Sequence, residues 1–236
     1  MNREYHKWHS DRLGRTMELL LFGHGGNPVI LFPTSRGRFY QNEDFGLIGA
    51  MADRVDAGRY LIVCVDSIDE ESWYNHSVPP LVRVARHAQY EAYIVHEVVP
   101  LARGRASGGR LTLGGCSLGG FHTAQIGLRN PTVFQKLLSM SGKFDTEGFL
   151  DGYHDQSVYF HSAFQWLPNL SDRGILGQLQ RQEIVLATTD RDSCKPSNER
   201  LSGLLWSKGI GNHLSVWRDA DHDWPVWRQQ IREYLP

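Results

Sequence analysis

The run Leu111-Thr112-Leu113-Gly114-Gly115-Cys116-Ser117-Leu118-Gly119-Gly120 is the densest chemical signal in the chain. It contains G-x-S-x-G at Gly115, Ser117 and Gly119, between a short apolar stretch and a helix-forming one. In that context the motif presents a serine nucleophile. Its spacing has a steric reason. A sharp strand-to-helix turn holds the serine in a strained backbone conformation, and the residues two before and two after must be tiny for the chains to pass. The hydroxyl then stands at a helix N-terminus, where the amide of Leu118 can donate to a developing oxyanion. A nucleotide-binding turn competes weakly, because no Lys-Ser/Thr closes the loop and G-x-G-x-x-G is absent. Cys116 sits one position too early to act and reads as a small residue packed under the turn.

A serine hydroxyl barely ionises at neutral pH, so it needs a base, and histidine has the fitting pKa. The chain offers eleven. In this type of fold the order is Ser, then Asp or Glu, then His. That leaves His213 and His222. His213 opens the apolar run HLSVW and reads as structural. His222 lies in the polar loop Asp219-Ala220-Asp221-His222-Asp223, free to swing over a sheet edge. The acid that holds the imidazole tautomer should follow the strand candidate EIVLAT at 183–188. Asp190 and Asp192 both do, and spacing alone does not separate them. The second oxyanion donor should be an amide in Phe32-Pro33-Thr34-Ser35-Arg36-Gly37-Arg38; Ser35 is favoured, then Thr34. Arg36 and Arg38 are placed either to meet an acidic substrate group or to pair with carboxylates.

The elements that must position these residues alternate. Residues 16–22 and 28–32 read as strands around the turn GHGGN, which can take the positive φ values of a hairpin. YLIVCV at 60–65 reads as a fully buried strand, and 86–102 as a helix with Tyr90, Ile94, Val98 and Leu101 on one face. A strand at 110–114 precedes a helix from Leu118 to Arg129, stopped by Asn130-Pro131. Strand candidates at 136–141 and 183–188 follow, then a helix near 197–208 ended by Gly209, a strand at 213–217, and a last helix with Pro225 in its first turn. Early strands followed by βα alternation imply an α/β fold, a mostly parallel sheet flanked by helices on both faces. Sites in such sheets form at the strand C-terminal ends. The aromatic-rich stretch 145–175 breaks the alternation and reads as a small insertion over the site, or as an ordinary packed segment.

Composition bounds the rest. The 236 residues suit one domain over 1–236, and a formal net charge of −1 gives no reason to expect nucleic acid. The polar start MNREYHKWHSDR has no apolar leader pattern, and no apolar run reaches the roughly 18 residues of a membrane span. Three cysteines, Cys64, Cys116 and Cys194, lack metal-ligand spacing. They read as reduced thiols, which points to the cytoplasm. No metal or cofactor is expected. Seven tryptophans can fill a core or a homo-oligomer interface.

The chain resembles bacterial esterases of the α/β-hydrolase superfamily, a branch akin to the esterase D and antigen 85 type enzymes. The resemblance spans most of the chain. It rests on FPTSRGRFYQNED at 32–44, ESWYNHSVPPLVRVARHAQYEAYI at 71–94, GGCSLGG at 114–120, DRDSCKPSNERLSGLLWSKGI at 190–210 and HDWPVWRQQI at 222–231. It implies Ser117 as nucleophile and His222 as base. It favours Asp192 as the acid, through a carboxylate shortly before Cys194 and Asn198. It also implies that Thr34 and Ser35 line the oxyanion site. Glu71, Trp73, Tyr74, Asn75, Arg86, His87 and Glu91 fall in a family-like stretch, with buried polar scaffolding favoured over substrate contact. The expected function is serine esterase activity through an acyl-enzyme on a small-molecule ester. The alternatives are acyl transfer, thioester or lactone cleavage by the same residues, and, from another class, a non-catalytic binding module on the same fold.

Overall fold

A computed structural model describes residues 1–236. Eight strands form one sheet: β1 Arg3–Ser10, β2 Arg15–Phe22, β3 Asn27–Phe32, β4 Tyr60–Val65, β5 Thr112–Cys116, β6 Lys136–Met140, β7 Glu183–Thr189 and β8 His213–Trp217. Their spatial order is β1-β2-β4-β3-β5-β6-β7-β8. The first two junctions are antiparallel and the rest parallel. The four longest helices are α1 Pro80–Tyr93, α2 Leu118–Arg129, α3 Lys195–Ser207 and α4 Trp224–Tyr234. This is the expected α/β-hydrolase architecture.

The central strands are apolar along their whole length because both faces are covered. Within β3, Ile30 and Phe32 enter one core cluster while Val29 and Leu31 enter the other, the period-two alternation of a strand sandwiched between layers. The second cluster is capped by Trp224, Trp227 and Ile231 of α4. Packing the final helix there brings the loop before it, with His222, to the sheet's carboxyl edge.

Two local expectations are corrected. The turn GHGGN is not a hairpin: β2 pairs with β1 and β4, so β4 lies between β2 and β3. Gly23 and Gly26 do take positive φ, 104° and 90°, but they serve a crossover. The local turn chemistry was legible, whereas the partner strand is chosen by burial of YLIVCV. The helix expected at 86–102 starts at Pro80 and is broken by a wide π turn at Ile94–Val98, then continues over Val99–Arg105. Pro100 lacks the N–H that would bond the His96 carbonyl, and the chain widens just before it. Strand β1 extends the sheet as an edge whose side chains alternate between exposed and half-buried.

Residues 145–175 hold short helices, among them Gln156–Phe160 and Arg173–Leu179, and no strand. Phe149, Leu150, Val158 and Trp166 pack into the larger core cluster. Arg83 of α1, nearly fully buried, ties the segment down by donating to the carbonyl of Phe149 and to Asp151, both at 2.8 Å.

Candidate active site

Ser117 lies between β5 and α2 with φ 56° and ψ −119°. This is the left-handed region that a non-glycine residue enters only when its surroundings force it. The forcing is visible. Its own N–H is held by the Met140 carbonyl at 2.8 Å. A Cβ on Gly115 would stand 2.6 Å from backbone atoms of Gly119, and one on Gly119 would stand 2.5 Å from the Pro33 carbonyl oxygen. Only glycine lets β5, α2 and the end of β3 approach so closely. The amide of Leu118, first residue of α2, has no intrahelical acceptor.

Ser117 opens onto a cleft of about 230 Å³ with Thr34, Ser35, His222, Asp223, Trp224 and Trp227. The His222 ring and the Ser117 hydroxyl share this cleft without a direct hydrogen bond between them. Such bonds are often long before substrate binds. The other face of the ring is fixed. His222 Nδ1 meets Asp192 Oδ1 at 2.9 Å, and the ring stands edge-on to Trp227 at 4.9 Å. Asp192 also accepts from the Cys194 amide at 2.7 Å and the Thr188 hydroxyl at 3.1 Å. Burial alone would raise its carboxyl pKa, but the hydrogen bonds, led by that of His222, outweigh it and hold the group at about 2. Asp190 does a different job: its carboxylate accepts from the amides of Asp219 and Ala220, pinning the loop that carries His222. The two carboxylates that spacing left open are thus separated by geometry, Asp192 under the imidazole and Asp190 under the loop. His213 sits on the edge strand β8 beside Tyr234, away from the cleft.

The loop after β3 divides the two candidate amides. The Thr34 N–H donates to Gln41 Oε1 at 2.8 Å, so it is committed elsewhere. Ser35 lines the cleft, and its hydroxyl accepts from the Tyr74 hydroxyl at 3.1 Å. Arg38 is engaged by Asp66 and Glu18. Arg36, at φ 57°, donates its amide to Asp69 Oδ2 at 2.9 Å. Asp69 also meets His122 of α2 at 3.0 Å, both side chains buried. A single carboxylate therefore links the loop after β3 to the helix after Ser117. Nothing in the sequence SIDEESW marked Asp69 for this. Its partner His122 is five residues past the serine, one helical turn inside.

Most of the stretch 71–94 is scaffolding. Glu71 pairs with Arg15 and Arg86, Glu91 with Arg129, and Trp73 packs at 4.9 Å on the buried ring of His87. The ring of His87 also stacks on His122 at 5.4 Å. Burial holds the His87 pKa well below the usual range, so this ring is neutral. Tyr74 is the exception, because it reaches the cleft rim through Ser35.

Donor atoms of Asp192, Cys194 and His222 lie within 4.8 Å of one another. Burial and the Asp192 charge push the Cys194 thiol up to about 11, so it is protonated at neutral pH. The Asp192 and His222 atoms are spent on each other. Cys64 and Cys116 are fully buried with raised pKa values, as inert core residues are. No helix is long and apolar enough to cross a membrane.

No curated protein matches the sequence. Among solved structures, a ferulic acid esterase superposes with a TM-score of 0.79 at 18% identity, covering 100% of this chain and 96% of its own. The S-formylglutathione hydrolase FrmB of Staphylococcus aureus gives 0.75 at 15% identity, covering 99% and 95%. Mycobacterium tuberculosis MPT51 gives 0.74 at 18%, covering 100% and 97%. At these identities the likeness establishes the fold. The family model described as "Putative esterase" matches residues 10–236, nearly the whole chain, and on that match the protein belongs to this esterase family of the α/β-hydrolase fold.

Proposed function

We propose that the chain hydrolyses carboxylic esters through an acyl-enzyme formed on Ser117, with His222 as general base and Asp192 as its orienting acid. The Asp192–His222 hydrogen bond of 2.9 Å carries this reading. It leaves the ring's Nε2 as the nitrogen for proton transfer and sets a carboxylate that stays ionised at neutral pH behind the imidazolium that forms. Ser117 Oγ attacks the ester carbonyl carbon as His222 takes its proton. The carbonyl oxygen becomes an oxyanion at the amides of Leu118 and Ser35. Collapse expels the alcohol, protonated by His222. Water, deprotonated by the same ring, then attacks the acyl-enzyme and releases the acid with Ser117 regenerated.

The cleft is small and open, with Trp224 and Trp227 as its apolar wall. That supports short acyl groups over long lipid chains. Two structural neighbours, an S-formylglutathione hydrolase and a ferulic acid esterase, act within the same reaction class. The test is hydrolysis of short p-nitrophenyl esters together with covalent labelling by a fluorophosphonate. Ser117→Ala should lose both while keeping the wild-type circular dichroism spectrum and melting curve. Wild-type protein inert to both reagents defeats the reading.

A further inference from the structure

Arg36 is held in a way that surface arginines are not. Its backbone sits at φ 57°, and its amide is clamped by the buried carboxylate of Asp69 at 2.9 Å. Backbone strain of this kind persists where the surroundings over-determine it, as they often do at functional sites. The clamp fixes the direction in which the side chain leaves the loop. The guanidinium then lies over the Tyr74 ring at 4.4 Å. Stacking pre-orients the planar fork and leaves its edge N–H groups free.

Those donors have no partner in the protein. A second polar cleft adjoins the loop, lined by Arg15, Arg36, Arg38 and four carboxylates among others. Arg15 is paired with Glu71, and Arg38 with Asp66 and Glu18. Asp69 is spent on His122 and the Arg36 amide. Glu70, the remaining acid, makes no ion pair with Arg36. Arg36 is thus the one cation of that cleft left without an anion, and it directly follows Ser35 at the Ser117 cleft. The Tyr74 ring beneath it packs on Phe149 at 5.2 Å, and Phe149 in turn carries the ammonium of Lys143 at 5.2 Å. Lys143 is also without an ion pair and follows the loop at the carboxyl end of β6. An aromatic shelf beside the cleft therefore bears a free cation at each end.

We propose that the Arg36 end of this shelf is a specificity subsite for a carboxylate borne by the ester substrate, bound bidentately by the Arg36 guanidinium. A planar fork matches a carboxylate, and the fork is already ordered, so little side-chain entropy is lost on binding. The inference rests on the acyl-enzyme reading, which supplies the reaction; it adds the class of substrate.

Two matched pairs test it. Mono-p-nitrophenyl adipate is compared with p-nitrophenyl hexanoate, which places the charge on the acyl side. Para-carboxyphenyl butyrate is compared with para-carbamoylphenyl butyrate, which places it on the alcohol side. In at least one pair the charged ester should have a kcat/KM about tenfold higher, chiefly through KM, as one charge-assisted hydrogen-bonded pair provides. The preference should shrink as salt rises. In Arg36→Gln the charged-to-neutral ratio should fall close to one, and Arg36→Lys should restore only part of it. A ratio of one or less in both pairs, with the neutral esters turned over normally, overturns the subsite and leaves the esterase reading standing. So does a ratio that Arg36→Gln does not move. Turnover of no ester in either pair sinks both.

Discussion

Asp192 keeps its charge far into acid, and this sets what the residue can be asked to do. Its carboxyl is lowered from 3.8 to about 2, so the ionised form is stabilised by the fold. The stability it lends is complete above the ordinary aspartate range and is lost as pH falls through about 2. The shift corresponds to about 2 kcal/mol. Wild-type protein should therefore lose about 2 kcal/mol more than Asp192→Asn between pH 4 and pH 2 in denaturant titrations. The same variant should drop kcat by about 10⁴ at neutral pH, because an amide holds the imidazole in the wrong tautomer. A near-normal kcat in Asp192→Asn would show that the carboxylate orients nothing. At this scale Asp190 is a useful contrast. It is exposed, bonds only backbone amides, and leaves the imidazole alone.

At the scale of elements, the turn between β5 and α2 depends on contacts with a third element, β3. Gly119→Ala puts a methyl group 2.5 Å from the Pro33 carbonyl oxygen and 3.0 Å from that of Phe32. Both are backbone atoms and cannot swing aside, so α2 must move outward. The expected result is a loss of about 1–3 kcal/mol in stability, the usual cost of overpacking. Moving the serine by a fraction of an ångström should also lower kcat about 100-fold in the surviving folded protein. Fluorophosphonate labelling rates and melting curves on the same sample separate the two effects. The Asp69 clamp works at the same scale, holding the loop after β3 to α2 through His122.

At the scale of the molecule, residues 145–175 depend on one buried guanidinium. Arg83 donates to the carbonyls of Asn75, Val78 and Phe149 and to Asp151. Arg83→Ala leaves the buried Phe149 carbonyl without a partner and removes the ties to Asn75, Val78 and Asp151, at a cost of about 3 kcal/mol or a fall in Tm of about 10 °C. Limited proteolysis should then cut first within 145–175. An unchanged melting temperature would mean that the segment is held by its apolar contacts alone.

The sequence by itself determined the elements and the chemical parts. Uninterrupted apolar runs such as YLIVCV could only be sheet buried on both faces. The Gly-x-Ser-x-Gly turn could only be tight, because its glycines leave room for nothing else. Chain order reduced eleven histidines to two and the acids to Asp190 and Asp192, since strands of a parallel sheet deliver their loops to one edge in sequence. Tertiary structure decided what depends on distance between segments far apart in the chain. It inserted β4 between β2 and β3 where local turn chemistry read as a hairpin. It gave the imidazole to Asp192 and the loop amides to Asp190. It took the Thr34 amide for Gln41, and it brought Asp69 to the amide of Arg36. Each of these is a choice among partners of equal local chemistry, and only the packing of helices on the sheet, which fixes who meets whom, distinguishes them.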